Sequence, residues 1–485
     1  VGYAIFKSKD ELSEWRWSAA HDRFRDGALG SYGVFLAIGL AYVIASSLLV
    51  ILVAPEAGGS GIAQVKAYLN GVDQQGLFDL KVLVCKAAGI VLAISGGMPC
   101  GDEGPMVHNG AVVGANIDAV RCGRKRGVVD DLRNDAERRE FITAGTAVGI
   151  SAAFGSPVGG LLFSFEEASS FWTVPLMLKV FLSSTLATLV LNIFRFYVEG
   201  PGYFGGEDFA IFLEFDNTSE DKYTLEEMPV FILMGIAGGL LGALFNSVNH
   251  YVNIFRKKVV GSARWARLCE VIVLNIFFTS VMFWTSYGLD PHCTKFTEGG
   301  VETKKLEFGC DEGEFNVAAT LFFQPMEAVV KALYHQQDNF DLGYLFLYMF
   351  VMFSLTAINF GCAIPSGLFV PQILIGSVLG RIFGQIFEDS LNIPDVGVYA
   401  ALGSGAMLAG SMRVALCLTV IILEVTRNAN FLIPTMIVCF AAKFTGDFVN
   451  IAIVDITIEN KHMPFVETHP PRGLEQITAG DKMSH

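Results

Sequence analysis

Charge is scarce in this chain. Only 17% of its 485 residues are Asp, Glu, Lys or Arg, against about a quarter in soluble globular proteins. That shortage argues against a water-soluble fold. With 52% hydrophobic residues and a mean hydropathy of +0.48 it points to a polytopic helical membrane protein. The charge that remains sums to −14, which excludes the basic footprint of a nucleic-acid binder. Metal-ligand spacing is missing too. No CxxC pair and no His/Cys cluster occurs, so a zinc or redox site is not expected. Cys85, Cys100, Cys269, Cys362, Cys417 and Cys439 stand singly in apolar runs and read as small buried hydrophobes. The one adjacent acid pair inside an apolar stretch, Glu166-Glu167, has no nucleophile, metal cluster or phosphate loop beside it. Neighbouring helical residues also face different ways, so the pair does not read as an enzyme's acid and base. No cofactor is called for. No secretory signal is visible, and the polar residues 1–30 read as a cytoplasmic segment outside the membrane.

What is present is apolar sequence broken by glycine. Runs at 32–53, 82–94, 174–193, 230–245, 271–287 and 345–358 stand out. Several of them suit a hydrocarbon layer of about 30 Å, and others are too short to cross it alone. Broken helices at that depth are tolerated where they line a cavity or lie inside protein. Basic residues cluster at 121–126, 133–139 and 256–267, and acidic ones at 214–227 and 298–314. By the positive-inside rule the basic loops are cytoplasmic and the acidic ones luminal or extracellular. Cys293 and Cys310 share one such acidic loop, where a disulfide is a candidate. Asn217-Thr218-Ser219 in the other is a glycosylation sequon.

The costliest residue is Glu103. Gly101-Asp102-Glu103-Gly104-Pro105 opens a small-residue apolar run and reads as a loop entering a helix. The carboxylate then stands at unpaired N–H groups and the positive end of the helix dipole. It can cap that end, or occupy an anion site there and leave it when protonated. The chain also repeats itself. Pro105, Gly110 and Gly114 align with Pro371, Gly376 and Gly380, and residues 144–167 align without gaps onto 402–425. Glu166 falls on Glu424 and reads as structural, while Glu167 falls on Val425 and reads as a function of one half. Duplicated halves with matching broken helices mark a transporter whose site lies where the half-helices meet. The first repeat is expected over 31–197 and the second over 226–458, joined by a luminal or extracellular loop at 198–225, with a cytoplasmic tail at 459–485. Three Gly-rich breaks qualify: Gly58-Gly59-Ser60-Gly61-Ile62, the Glu103 loop, and Pro365-Ser366-Gly367-Leu368-Phe369-Val370-Pro371. None has Lys or Arg beside it in sequence. Backbone N–H groups and a hydroxyl without full positive charge suit a small monovalent anion that must also leave.

Together these residues resemble the CLC family of chloride channels and chloride/proton exchangers, over roughly 32–458. Gly59-Ser60-Gly61-Ile62, the 101–105 loop and Gly367-Leu368-Phe369-Val370-Pro371 resemble its three anion-binding motifs. Phrases such as 154–172 and Ala319-Thr320-Leu321-Phe322-Phe323-Gln324-Pro325 are most similar to the eukaryotic lysosomal and endosomal branch. The resemblance implies an all-α membrane fold of two inverted repeats, and a homodimer with one pore per subunit. It implies that the Ser60 hydroxyl and the N–H groups of Leu368 and Phe369 hold a central chloride. The N–H groups of Glu103, Gly104, Phe369 and Val370 would form an outer site that the Glu103 carboxylate can fill. Glu103 would be the gate and external proton carrier, and Glu167 the internal proton glutamate. Chloride and protons would be the transported ions, across an endosomal, lysosomal or vacuolar membrane, with the plasma membrane as the other location.

Three positions depart from that pattern. Val454 stands before Asp455 where the family has a central tyrosine. Asp102 stands where a Lys or Arg usually precedes the glutamate, and its repulsion favours the protonated, open gate. Ala63 replaces a proline at a first helical turn, where proline is dispensable. Val454 and Asp102 favour a passive channel and Glu167 favours coupled exchange; chloride/proton exchange gated by Glu103 is the expected function, with a passive chloride channel as the alternative. Residues 473–485 resemble the opening of a CBS domain.

Overall fold

The computed structural model of the chain describes residues 2–23, 28–121, 135–199, 223–261, 263–288, 293–295, 314–335, 340–391, 393 and 395–466. Cys310, Asn217 and the CBS-like end lie outside the described residues, as do the disulfide and sequon that would rest on them.

Helices dominate. The first half runs α1 (Gly2–Asp22), α2 (Ala28–Leu48), α3 (Ile62–Asn70), α4 (Leu80–Ser95), α5 (Glu103–Arg121), α6 (Asp135–Phe154), α7 (Pro157–Phe163) and α8 (Val174–Glu199). The second runs α9 (Met228–Val259), α10 (Arg264–Gly288), α11 (Val317–Phe323), α12 (Met326–His335), α13 (Leu342–Asn359) and α14 (Phe369–Leu391). It closes with α15 (Val396–Met412), α16 (Leu416–Thr426), α17 (Leu432–Val449) and α18 (Ile453–Asn460). Two three-residue strands, Cys293–Lys295 and Glu314–Asn316, pair antiparallel across the acidic loop and are the one addition to the all-α expectation among the described residues. Among the described residues, seven helical spans are long and apolar enough to cross a membrane.

The helices α3, α7, α16 and α18 have only 9, 7, 11 and 8 residues, against roughly 20 for a crossing. Each therefore starts inside the protein, and its first N–H groups must find partners there. Sequence chemistry sets where they start. Before α3, Gly59 and Gly61 take φ of +70° and +89°, a region closed to most side chains. A Cβ on Gly61 would also sit 2.4 Å from the His108 ring.

The duplication appears as two matching helix pairs, α5 on α6 and α14 on α15. A Cβ on Gly110 would lie 2.1 Å from the Gly145 carbonyl oxygen, and one on Gly145 2.2 Å from that of Gly110. Gly376 and Gly403 hold the same relation at 2.4 Å in both directions. The backbones touch, which is how small residues let membrane helices associate by close packing. This contact fixes the direction in which α5 and α14 present their N-terminal ends.

The polar segment 1–30 does not stand apart. Residues Gly2–Asp22 form α1, which packs on α2 and α4 and carries Lys9 and Arg16 to 2% and 4% exposure. Its low hydropathy comes from polar groups that find partners inside the bundle. Arg16 donates to the carbonyls of Phe35 and Ser95 at 3.0 and 3.3 Å and lies over the Phe35 ring. The expectation of a lead-in outside the membrane body is corrected accordingly.

Gly145→Val and Gly403→Val should each destabilise the fold by about 3 kcal/mol or more, because backbone cannot step aside as a side chain can. Thermal unfolding of purified protein in detergent measures this. Gly30→Ala, at a helical glycine with open space around it, is the control expected to leave Tm unchanged.

Candidate functional site

The three glycine-rich breaks meet at one buried place. The Gly101 N–H donates to the Gly367 carbonyl at 3.0 Å, and the Gly367 N–H to the Gly101 carbonyl at 2.8 Å. That two-bond bridge joins the break before α5 to the break before α14. The third break is tied in by the Gly59 N–H, which donates to the Ile364 carbonyl at 2.9 Å. A Cβ on Gly104 would fall 2.8 Å from Ser60 Cβ and 3.3 Å from Gly367 Cα. The N-terminal ends of α3, α5 and α14 thus converge, one break from each of three parts of the chain.

Between them lies a cavity of about 20 Å³, lined by Ser60, Ile62, Ala63, Phe360, Leu368, Phe369, Met412, Ile453, Val454 and Thr457. That is room for a single water-sized or ion-sized occupant. Ser60, Leu368, Phe369 and Val454 were singled out by sequence, and all four face this cavity. The Phe369 ring packs against Phe154 and Phe163 at 5.8 and 5.9 Å, which anchors the first turn of α14. Val454 presents only methyl groups. Thr457, one turn further along α18, supplies a hydroxyl to the same cavity and donates it to the Ile453 carbonyl at 2.8 Å. Sequence reading missed Thr457, although its i+3 spacing from Val454 was visible.

Glu103 is 1% exposed. A point 2.4 Å from its Oε2 lies 3.2 Å from the Val370 nitrogen, so the carboxylate sits beside the first turn of α14. Neither of its oxygens accepts a hydrogen bond of standard geometry among the described residues. It is a carboxylate held at a helix N-terminus without a fixed partner, as an anion competitor would be.

Lysines reach the breaks through space, although none stands beside them in sequence. Lys86 of α4 is fully buried and donates to the Ser60 carbonyl at 3.1 Å. Its Nζ is 2.8 Å from His108 Nδ1, and His108 Nε2 is 3.1 Å from the Leu77 carbonyl. His108 is therefore a packed, hydrogen-bonded residue. Lys9 of α1 pairs with Asp102 at 3.1 Å and with Glu327 at 2.5 Å. The repulsion expected between Asp102 and Glu103 is thus offset from outside the motif.

Glu167 is 5% exposed and accepts from Lys66 at 3.1 Å; the same ammonium donates to Asp455 at 2.7 Å. Lys66 lies one turn into α3, and Asp455 follows Val454. The Glu167 cluster is therefore attached directly to the two helices that wall the cavity. Glu166 has a different task. Its oxygens accept from the N–H groups of Ala415 and Cys417 at 2.8 and 2.9 Å, capping α16. Glu424 accepts from Val158 and Gly159 at 3.2 and 3.0 Å and from the Ser156 hydroxyl, capping α7. Each repeat caps a half-helix of the other.

A family model described as voltage gated chloride channel matches residues 41–447. The chain belongs to the voltage-gated chloride channel family. It is thereby an integral multi-pass membrane protein. The human H(+)/Cl(-) exchange transporter 7 is 35% identical over 475 residues, covering 96% of this chain and 58% of that protein. Chloride channel protein A of Dictyostelium discoideum is 31% identical, over 100% of this chain and 60% of its own. The chain thus spans about three-fifths of these curated relatives. A crystal structure of a eukaryotic CLC transporter superposes with a TM-score of 0.71 at 26% identity, covering 96% of this chain and 72% of that one. A slow cyanobacterial Cl-/H+ antiporter shares the fold with a TM-score of 0.73 at 22% identity.

Replacing Glu166 by Ala strands two buried N–H groups and should cost about 2 kcal/mol. The expected readout is a lower Tm in detergent. Unchanged stability would remove its capping role.

Proposed function

We propose that the chain exchanges chloride for protons across a membrane, with the cavity at the three helix ends as its anion site. The observation that carries this reading is the placement of Glu103, a buried carboxylate without a fixed partner at the same helix end that would hold the anion. Ser60 and the N–H groups of Leu368 and Phe369 would hold a central chloride. The N–H groups of Glu103, Gly104, Phe369 and Val370 would form the outer position. An ionised Glu103 fills that position and excludes chloride, and a protonated Glu103 leaves it. The two ions are therefore coupled by mutual exclusion at one place. Glu167 would deliver protons from the other side, held ready by Lys66 and Asp455. Transport of this kind needs no cofactor, and it is ion translocation rather than enzyme catalysis. The exchanger named among the relatives supports the reading, as does the eukaryotic transporter fold. By the same likeness we assign a homodimer in the membrane of an intracellular organelle (endosome, lysosome or vacuole).

One observation favours a second reading. Val454 offers the cavity no hydroxyl and a smaller barrier than an aromatic side chain, which suits passive chloride flow gated by Glu103.

Purified protein in liposomes separates the two. Under exchange, an imposed chloride gradient drives protons uphill. Glu103→Gln should then pass chloride with proton movement abolished, and Glu167→Ala should pass chloride with coupling lost. Chloride flux without uphill protons in the wild type would establish the channel instead.

A further inference from the structure

The break before α5 carries an unusual charge, and the structure shows how the fold answers it. Asp102 places a second acid directly before Glu103, at the buried start of α5. Lys9, from a helix more than ninety residues earlier, reaches that aspartate and Glu327 of α12 together. The three side chains are 2%, 8% and 12% exposed. Burying an ammonium costs several kcal/mol unless it is paired, and here it is paired twice. In such a dry setting each charge acts strongly on its neighbours.

We propose that Lys9 is a positioning residue for the Glu103 gate: α1 brings a cation to Asp102, and so sets the pH at which the gate opens. The proposal rests on the transport reading above. Glu103 directly follows Asp102, whose carboxylate is 3.1 Å from the Lys9 ammonium, so the charges of that cluster act on it through space. With Lys9 in place, Lys9, Asp102 and Glu327 sum to one negative charge; without it they sum to two. A third carboxylate, an ionised Glu103, is then harder to keep beside them, and the protonated, open form gains.

The surroundings leave Lys9 as the charge with that role. From α1, Asp10 faces Glu327, Lys9 and Asp102, with Glu14 a turn beyond. From α8, Arg195 lines the same small cavity as Lys9 and Asp102. The Cys100 thiol lies close to Asp102 and Glu103. On the α4 flank, Lys86 is engaged with Ser60 and His108. The first turn of α14 (Phe369, Val370, Pro371, Gln372) brings no charge, and α6 meets this region with Ala152 and Ala153.

The test is chloride efflux from liposomes, followed with a chloride electrode across a pH series. Lys9→Met should move the half-activation pH upward by about one unit, while Lys9→Arg should keep the wild-type profile. Lys9→Met/Asp102→Asn returns the sum to one negative charge and should restore the profile. A folded Lys9→Met protein that loses Tm but keeps the wild-type pH profile would overturn the proposal, because a purely structural lysine predicts that. If the single variant cannot be purified, the double variant decides: a wild-type profile supports the proposal and a displaced one overturns it. Wild-type protein without chloride flux would instead refute the transport reading, so the two failures are distinct.

Discussion

The proposed ion site depends first on the paired hydrogen bonds between Gly101 and Gly367. They join the two repeats backbone to backbone at the point where α5 and α14 begin. Helix N-termini attract anions because their first N–H groups are unpaired and their dipoles align. Two such ends held together, with α3 as a third, are the backbone on which the proposed anion site rests. The asymmetry lies in what each repeat places at its helix start. One supplies Glu103 and the other Phe369, so one end can fill the site with its own charge and the other is left bare. The glycine contacts between α5 and α6 and between α14 and α15 hold this arrangement, and the reciprocal caps of Glu166 and Glu424 lock the neighbouring half-helices across the repeat boundary.

Around that centre the charges are economical and follow one pattern. Lys9 bridges Asp102 and Glu327, and Lys66 bridges Glu167 and Asp455. Each lysine is shared by two carboxylates, so each cluster keeps one surplus negative charge inside the protein. A fully compensated pair would be electrically inert. A surplus carboxylate can take up and release a proton while its neighbours stay paired, which suits groups that hand protons on. Lys86 beside Ser60 is different, since its described partners are a carbonyl and an imidazole, which tie α4 and α5 to the break before α3.

Much of this was legible in the chain. The scarcity of charge and the broken apolar runs gave the membrane class, and the aligned Pro105/Pro371 and Gly110/Gly376 positions gave the duplication. The recurrence of Glu166 as Glu424 correctly marked both as structural, because a residue present in both halves serves the shared architecture. What stayed hidden was everything that depends on distant segments meeting. Lys9 and Asp102 are brought together only by the packing of α1 on α4, and nothing local in 1–30 signals that its polar residues have buried partners. Lys86 and Lys66 likewise sit away from the motifs in sequence and against them in space. Thr457 was not legible because the cavity is lined by a helical face rather than by the single position of Val454.

The central claim is that chloride and the Glu103 carboxylate compete for one place and that the displaced carboxylate is protonated. Chloride titration of purified protein by calorimetry, in buffers of different ionisation enthalpy, measures this directly. The account predicts that chloride binding takes up protons in the wild type and none in Glu103→Gln. Wild-type chloride binding with no proton uptake would contradict it.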